Sequence, residues 1–220
     1  MQLTMELTGT TALVTGSNRG LGKAYAEALL DAGAAKVYAA ARDPRTITDP
    51  RLTPVRLDVT DPAQVAEAAR TLTDVDVVIN NAGVAHPTTP LAADLDRARQ
   101  ELEVNYLGLL RIAQSFPDLK VLVNVLSVAS FRPLLSLSTY AASKAAAWSI
   151  TQSLREELED TLVVAVHAGF IDTDLAAAVP QDRKIPPSQV VGATLAAIAA
   201  GETEVLADDV SREAKLALLS

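Results

Sequence analysis

The chain has no cysteine among its 220 residues. That excludes disulfides and thiolate chemistry and agrees with a cytoplasmic location. Histidine is almost as scarce. His86 and His167 are the only two, and a metal site built on them would lack further ligands, so no metal is expected. Aromatic residues make up 4% of the chain, which leaves Ala, Val and Leu to build the core. No apolar run reaches the roughly 18 residues needed to cross a bilayer, and no membrane attachment is expected. Residues 1–6 lack a basic stretch followed by an apolar one, so no signal peptide is expected. There is no basic cluster, and a net charge of −8 argues against a nucleic-acid partner. A Gly-x-Ser-x-Gly elbow is missing, which removes the usual basis for a serine hydrolase. Internal repeats and low-complexity linkers are also missing. The densest proline cluster, Pro180 to Pro187, reads as a loop, so residues 1–220 are expected to form one domain.

What the chain does contain is regular alternation. Strands are expected at 11–15, 36–41, 53–57, 75–80, 120–126, 162–167 and 204–207, and helices at about 20–32, 62–72, 91–116, 139–159 and 188–200. Several strands are continuous apolar runs, as suits a parallel sheet buried on both faces. Gly33-Ala34-Ala35 reads as a helix stop, and Asp61-Pro62 as an N-cap followed by proline at the first helical position. The pattern predicts an α/β fold: a single-domain, doubly wound parallel sheet of about seven strands, Rossmann-like, with helices on both faces.

Two local patterns carry chemistry. Gly16-Ser17-Asn18-Arg19-Gly20-Leu21-Gly22 lies directly between the first strand and the first helix. A strand, a glycine turn and a helix N-terminus make an anion site, because exposed backbone N–H groups and the helix dipole both favour negative charge. Tyr140 and Lys144 stand four residues apart, on one face of a helix. A fixed ammonium beside a phenol favours the phenolate, so Lys144 is expected to lower the Tyr140 pKa and fit it for acid–base work. Ligands in such sheets bind beyond the carboxyl ends of the strands. Gly16, Arg42, Asp58, Asn81, Ser127 and Gly169 each follow a different strand and are expected to line one crevice.

With these patterns in place the sequence resembles the short-chain dehydrogenase/reductase family in its compact form. The stretches that carry the resemblance are 15–22, Asp58-Val59, Asn80-Asn81-Ala82-Gly83, Asn105, Ser127, Tyr140-Ala141-Ala142-Ser143-Lys144 and 169–173. They follow the family's order over nearly the whole chain. Two departures are Ala168-Gly169 for the family's Pro-Gly, and Leu126-Ser127 for a frequent Ser-Ser. Without the proline, the loop after the sixth strand is expected to be less rigid.

The resemblance implies that Gly16, Ser17, Asn18, Arg19, Gly20, Leu21 and Gly22 hold the pyrophosphate of a dinucleotide. It implies that Asp58 and Val59 meet its adenine, that Asn81, Ala82 and Gly83 pass beneath it, and that Ile171 and Thr173 meet its carboxamide. Asp58 could instead cap the turn before Pro62. The second strand ends in Ala41-Arg42-Asp43. A cation here and another at Arg19 suit a 2′-phosphate, so NADP(H) is expected. The alternative is a solvated Arg42, with Asp43 binding the 2′-hydroxyl of NAD(H).

Tyr140 is then the implied general acid/base, Lys144 holds the nicotinamide ribose, Ser127 binds the substrate oxygen and Asn105 holds a water leading to solvent. The expected activity is hydride transfer between NADP(H) and a carbonyl or alcohol, of the carbonyl reductase or alcohol dehydrogenase type. The rivals are an NAD(P)-sensing regulatory protein and an epimerase or dehydratase of the same superfamily. Residues 84–90, 131–138 and 174–187 are the expected substrate walls. The second is largely apolar, suggesting an apolar ketone or aldehyde. A homodimer or homotetramer is expected from the resemblance, with Ala141, Ala145, Trp148 and Gln152 as a candidate contact face and helix core as the competing explanation.

Overall fold

A computed structural model describes residues 5–218. Nine strands and seven α-helices alternate along it: β1 (Thr11–Thr15), α1 (Gly20–Asp31), β2 (Lys36–Ala41), β3 (Thr53–Arg56), α2 (Pro62–Thr71), β4 (Val77–Asn80), α3 (Leu95–Leu102), α4 (Leu109–Ser115), β5 (Val121–Val125), α5 (Ser138–Glu157), β6 (Leu162–His167), β7 (Phe170–Ile171), β8 (Lys184–Ile185), α6 (Pro187–Ala200), β9 (Glu204–Leu206) and α7 (Asp209–Ala217). Seven of the strands form one parallel sheet in the order β3-β2-β1-β4-β5-β6-β9. This is the doubly wound α/β sheet that the apolar runs predict. The order reverses between β1 and β4, which opens a crevice at their carboxyl ends.

Alternate residues of each strand feed two apolar layers. Ala12, Val14, Val37, Val77, Ile79 and Val123 face Leu21, Tyr25 and Leu29 of α1 and Val190 and Ile198 of α6. Leu13, Ala40, Val78, Leu122 and Val163 face α2, α4 and α5 through Val65, Ile112, Ala147 and Leu154. Because both faces are covered, strands such as Val121–Val125 are buried at every position. Helix boundaries follow local chemistry. The Asp61 carboxylate accepts from the N–H groups of Ala63 and Gln64, with Pro62 at the first helical position. Gly33, at φ +94°, follows the end of α1.

Three expectations need correction. The fourth strand begins at Val77, because the Asp76 carboxylate turns back to bond the Thr11 N–H at 2.9 Å and pair with Lys120. The single helix expected at 91–116 is divided. A short 3₁₀ turn (Pro90–Ala92) precedes α3, and a π-helical stretch (Glu103–Gly108) joins α3 to α4. The small parallel pair β7–β8 and the C-terminal helix α7 have no counterpart in the sequence reading. Among the described residues no helix is long and apolar enough to cross a membrane.

Candidate active site

The glycine turn is packed as one block with β4. Gly16 and Gly20 take left-handed backbone angles, φ +65° and +56°. Gly22 is excluded from carrying a side chain by space instead: a Cβ there would lie 2.3 Å from the Gly16 carbonyl oxygen and 2.4 Å from Asn81 Nδ2. Asn81 Nδ2 donates to the carbonyls of Thr15 (2.9 Å) and Gly16 (3.2 Å). In return, Thr15 Oγ1 accepts from the N–H groups of Asn81 and Ala82, each at 3.0 Å. Thr15 thus anchors the turn, a part that its place at a strand end does not reveal. Ser17 is buried, with its hydroxyl and N–H both donated to the Ala40 carbonyl, and Leu21 packs into the core. No acidic residue lies in the first turn of α1. Its N-terminus keeps the field an anion needs.

At the end of β2, Arg42 is exposed. Asp43 is engaged elsewhere. Its carboxylate takes Arg45 Nε at 2.8 Å, a second Arg45 nitrogen at 2.9 Å and the Arg45 N–H at 3.1 Å. Those bonds hold its pKa below the usual carboxylate range. Asp43 therefore caps the turn that follows, and the acid required by the NAD alternative is occupied. Asp58 Oδ1 accepts from the N–H and hydroxyl of Thr60. The capping role weighed for Asp58 is thus real, and it uses one carboxylate oxygen.

Tyr140, Lys144, Ser127 and Asn105 come together where α5 passes the carboxyl ends of β4 and β5. Lys144 is buried, and Nζ donates to the Val125 carbonyl at 2.9 Å. Burial pushes its pKa down to about 8. Its Nζ lies 5.9 Å from the Tyr140 ring centroid. The Tyr140 pKa is raised: burial raises it most, a hydrogen bond with Ser127 opposes this, and the charge of Glu101 adds to the rise. The expected lowering by Lys144 is therefore reversed in this structure. The ammonium is drawn onto the Val125 carbonyl, and withdrawal of the phenol from water dominates.

Ser127 Oγ also accepts from the Ala129 N–H at 3.1 Å. Asn105 lies in the π-helical stretch, its amide spent within the protein: Oδ1 accepts from the Val84 N–H, and Nδ2 donates to the Val84 carbonyl and to Ser143 Oγ, each at 2.9 Å. Asn105 thus clamps the wall after β4. A Cβ on Gly83 would meet both Asn105 Oδ1 and Lys144 Nζ, which places this glycine over the pair.

On the opposite side, Thr173 packs its methyl against Gly20, and its hydroxyl donates to the Ile171 carbonyl. Arg19 pairs with Asp174 at 3.2 Å, joining the glycine turn to the segment after β7. The looseness expected at Ala168-Gly169 is countered by two bonds. The Ala168 carbonyl accepts from the Val128 N–H at 2.9 Å, and the Gly169 N–H donates to Asp208 at 2.7 Å. His167 is fully buried and stacked on Phe131, with burial pushing its pKa down to about 4. The His86 ring bonds Gln100 at 3.0 Å. No acid-and-histidine cluster able to hold a metal occurs among the described residues. Trp148, a candidate contact residue, packs on Phe131 and lies beneath Lys215 of its own chain. A cavity of about 550 Å³ between Phe131, Arg132, Arg183 and α7 includes none of the Tyr140 group.

A switch-point crevice with a glycine turn on one side and a Tyr–Lys–Ser group on the other belongs to a doubly wound α/β protein. The model of the short chain dehydrogenase family matches residues 10–184. The chain belongs to the short-chain dehydrogenase/reductase family of oxidoreductases. An uncharacterised oxidoreductase of Staphylococcus aureus is 33% identical over 213 residues, covering 87% of this chain and 92% of its own. A short-chain dehydrogenase of Penicillium ochrochloron is 36% identical over 180 residues, 74% of this chain and 66% of its own. Among solved structures, a short-chain dehydrogenase from Burkholderia cenocepacia in complex with NADP is 40% identical, with a TM-score of 0.94 over 98% of this chain and 95% of that one.

Proposed function

We infer that this protein is an NADP(H)-dependent carbonyl reductase or alcohol dehydrogenase acting on an apolar ketone or aldehyde. The observation that carries this reading is the gathering of Lys144, with Nζ 5.9 Å from the Tyr140 ring centroid, and of Ser127 about Tyr140, in a crevice shared with the glycine turn. Bound there, NADPH would supply the hydride. Tyr140, a phenol that is protonated at neutral pH, would donate its proton to the substrate oxygen, leaving an alcohol. Ser127 would hydrogen-bond the same oxygen as charge develops on it. Lys144, held by the Val125 carbonyl, would bond the nicotinamide ribose and replace the phenolic proton through the path beside Asn105.

Preference for NADP(H) is supported by the exposed Arg42 and by the engagement of Asp43 with Arg45. The NADP bound by the Burkholderia cenocepacia relative points the same way. The same reading makes the protein a cytoplasmic homodimer or homotetramer without nucleic-acid or membrane partners. The test is NADPH consumption across a panel of apolar ketones and aldehydes. Turnover is expected, with Tyr140→Phe losing about a thousandfold in kcat while still binding NADPH. A Tyr140→Phe variant that kept the wild-type rate would overturn the assignment. No net consumption would favour a sensor, and catalytic recycling of the cofactor an epimerase.

A further inference from the structure

His167, the last residue of β6, has no part in the chemistry above, yet it touches both ends of the turn that Ser127 begins. Its Nδ1 donates to the Ser127 carbonyl at 3.2 Å; a carbonyl only accepts, so in the neutral ring Nε2 is left bare. The same ring is stacked on Phe131, with centroids 4.0 Å apart. Between Ser127 and Phe131 lies a single 3₁₀ turn (Val128–Ser130), closed by the Ser130 N–H on that same Ser127 carbonyl at 3.0 Å. For the core alone this histidine is a poor choice. It is fully buried, and its Nε2 has no hydrogen-bond partner among the described residues. Glu204 Oε1 stands 3.8 Å away, beyond bonding distance, and is held by Lys215 at 2.7 Å. A phenyl ring would stack on Phe131 as well and leave no polar atom unbonded. What only the imidazole supplies is the N–H given to Ser127.

We propose that His167 is a positioning residue of this site: its Nδ1–H fixes the carbonyl of Ser127, and through it the station of the Ser127 hydroxyl in the crevice. This rests on the reading of Ser127 as the group that bonds the substrate oxygen. The peptide joining Ser127 to Val128 is gripped at both ends by neighbouring residues of the adjacent strand end. Its N–H donates to the Ala168 carbonyl at 2.9 Å, and its carbonyl takes the His167 ring. With the N–H alone held, the peptide plane can rock about that bond. The Ser130 N–H does not prevent this, because it moves with the turn; His167 belongs to the sheet. A donor to a developing oxyanion works only where it is already in place, so a rocking peptide costs rate.

The test uses the full chain with His167→Phe and His167→Asn. Phe keeps a stacked ring and loses the donor; Asn loses the ring and keeps an amide N–H for the same carbonyl. The Phe variant should melt no lower than wild type and bind NADPH as tightly. In a single turnover it should transfer hydride about tenfold more slowly, the worth of one hydrogen bond. The Asn variant should melt lower, its ring replaced by a smaller group, and keep a rate close to wild type. A ring that served only the fold would instead lose stability and rate together. On the wild-type protein, long-range proton–nitrogen NMR correlation should show His167 as the Nδ1–H tautomer, told from His86 by its loss in either variant. An Nε2–H tautomer would overturn the proposal. So would a Phe variant with the wild-type hydride rate, one that melts well below wild type, or an Asn variant slower than the Phe variant. Absence of turnover on every carbonyl would instead defeat the reductase reading, with the tautomer still deciding whether His167 grips Ser127.

Discussion

Replacing Lys144 by Met should make the cofactor-free protein more stable at neutral pH while removing its activity. Lys144 is 4% exposed, and its ammonium bonds the Val125 carbonyl. Its pKa falls from 10.5 to about 8 because burial disfavours the charged amine. At about 1.4 kcal/mol per unit, that depression is worth about 3 kcal/mol against the folded state. Losing the bond to Val125 returns about 1 kcal/mol of that, leaving a net gain of about 2 kcal/mol for the unbranched, apolar Met. For a chain of this size the melting temperature should rise by roughly 4–6 °C at pH 7. The sign of the pH dependence follows from the direction of the shift. The unfolded chain holds the Lys144 proton up to 10.5, the folded one only to about 8, so wild-type stability from this group climbs across that window. The gap between variant and wild type should therefore be full at pH 7 and nearly closed at pH 10. Calorimetry or circular dichroism at both pH values decides the matter. Equal melting temperatures at pH 7, or a gap of constant size, would refute the argument.

Arg42→Ala should weaken NADPH about 10- to 100-fold, the worth of charge-assisted bonds to a phosphate, and leave NADH nearly unchanged. Fluorescence titration with both nucleotides checks this, and equal weakening would remove the 2′-phosphate role. Gly22→Ala would drive a Cβ to within 2.3 Å of the Gly16 carbonyl. The turn must then shift, and nucleotide binding measured by calorimetry should fall about 100-fold even where the circular dichroism spectrum is preserved. Unchanged affinity would show that the turn does not hold the pyrophosphate.

The sheet was legible because its strands are apolar on both faces, as at Val121–Val125, and because Asp61-Pro62 and Gly33 mark helix ends in local chemistry. The candidate groups were legible for a related reason: Tyr140, Ser127, Asn81 and the glycine turn each sit at a strand end or on one helix face. What pattern could not supply was the neighbour of each group. The lysine's bond to the Val125 carbonyl is a tertiary fact, and the engagement of Asp43 by Arg45, two residues on, is a local choice of side-chain partner. The raised Tyr140 pKa reversed one expected direction. Glu101 resembles any surface charge of a helix in sequence, and only the structure shows it fully buried at the end of α3. The helix α7 is short and amphipathic, and its capping bond from the Ser211 N–H to Asp208 is too common a pattern to single it out.

The fusion of the glycine turn to Asn81 and Thr15 divides the crevice into two mechanical halves. One is a mould with no slack: turn, helix and fourth strand interlock, and a single added carbon would jam them. The other half hangs from individual polar fastenings at Val84, His86 and Gly169. A scaffold so divided can keep one constant guest in its mould while the opposite side is retailored for many different visitors.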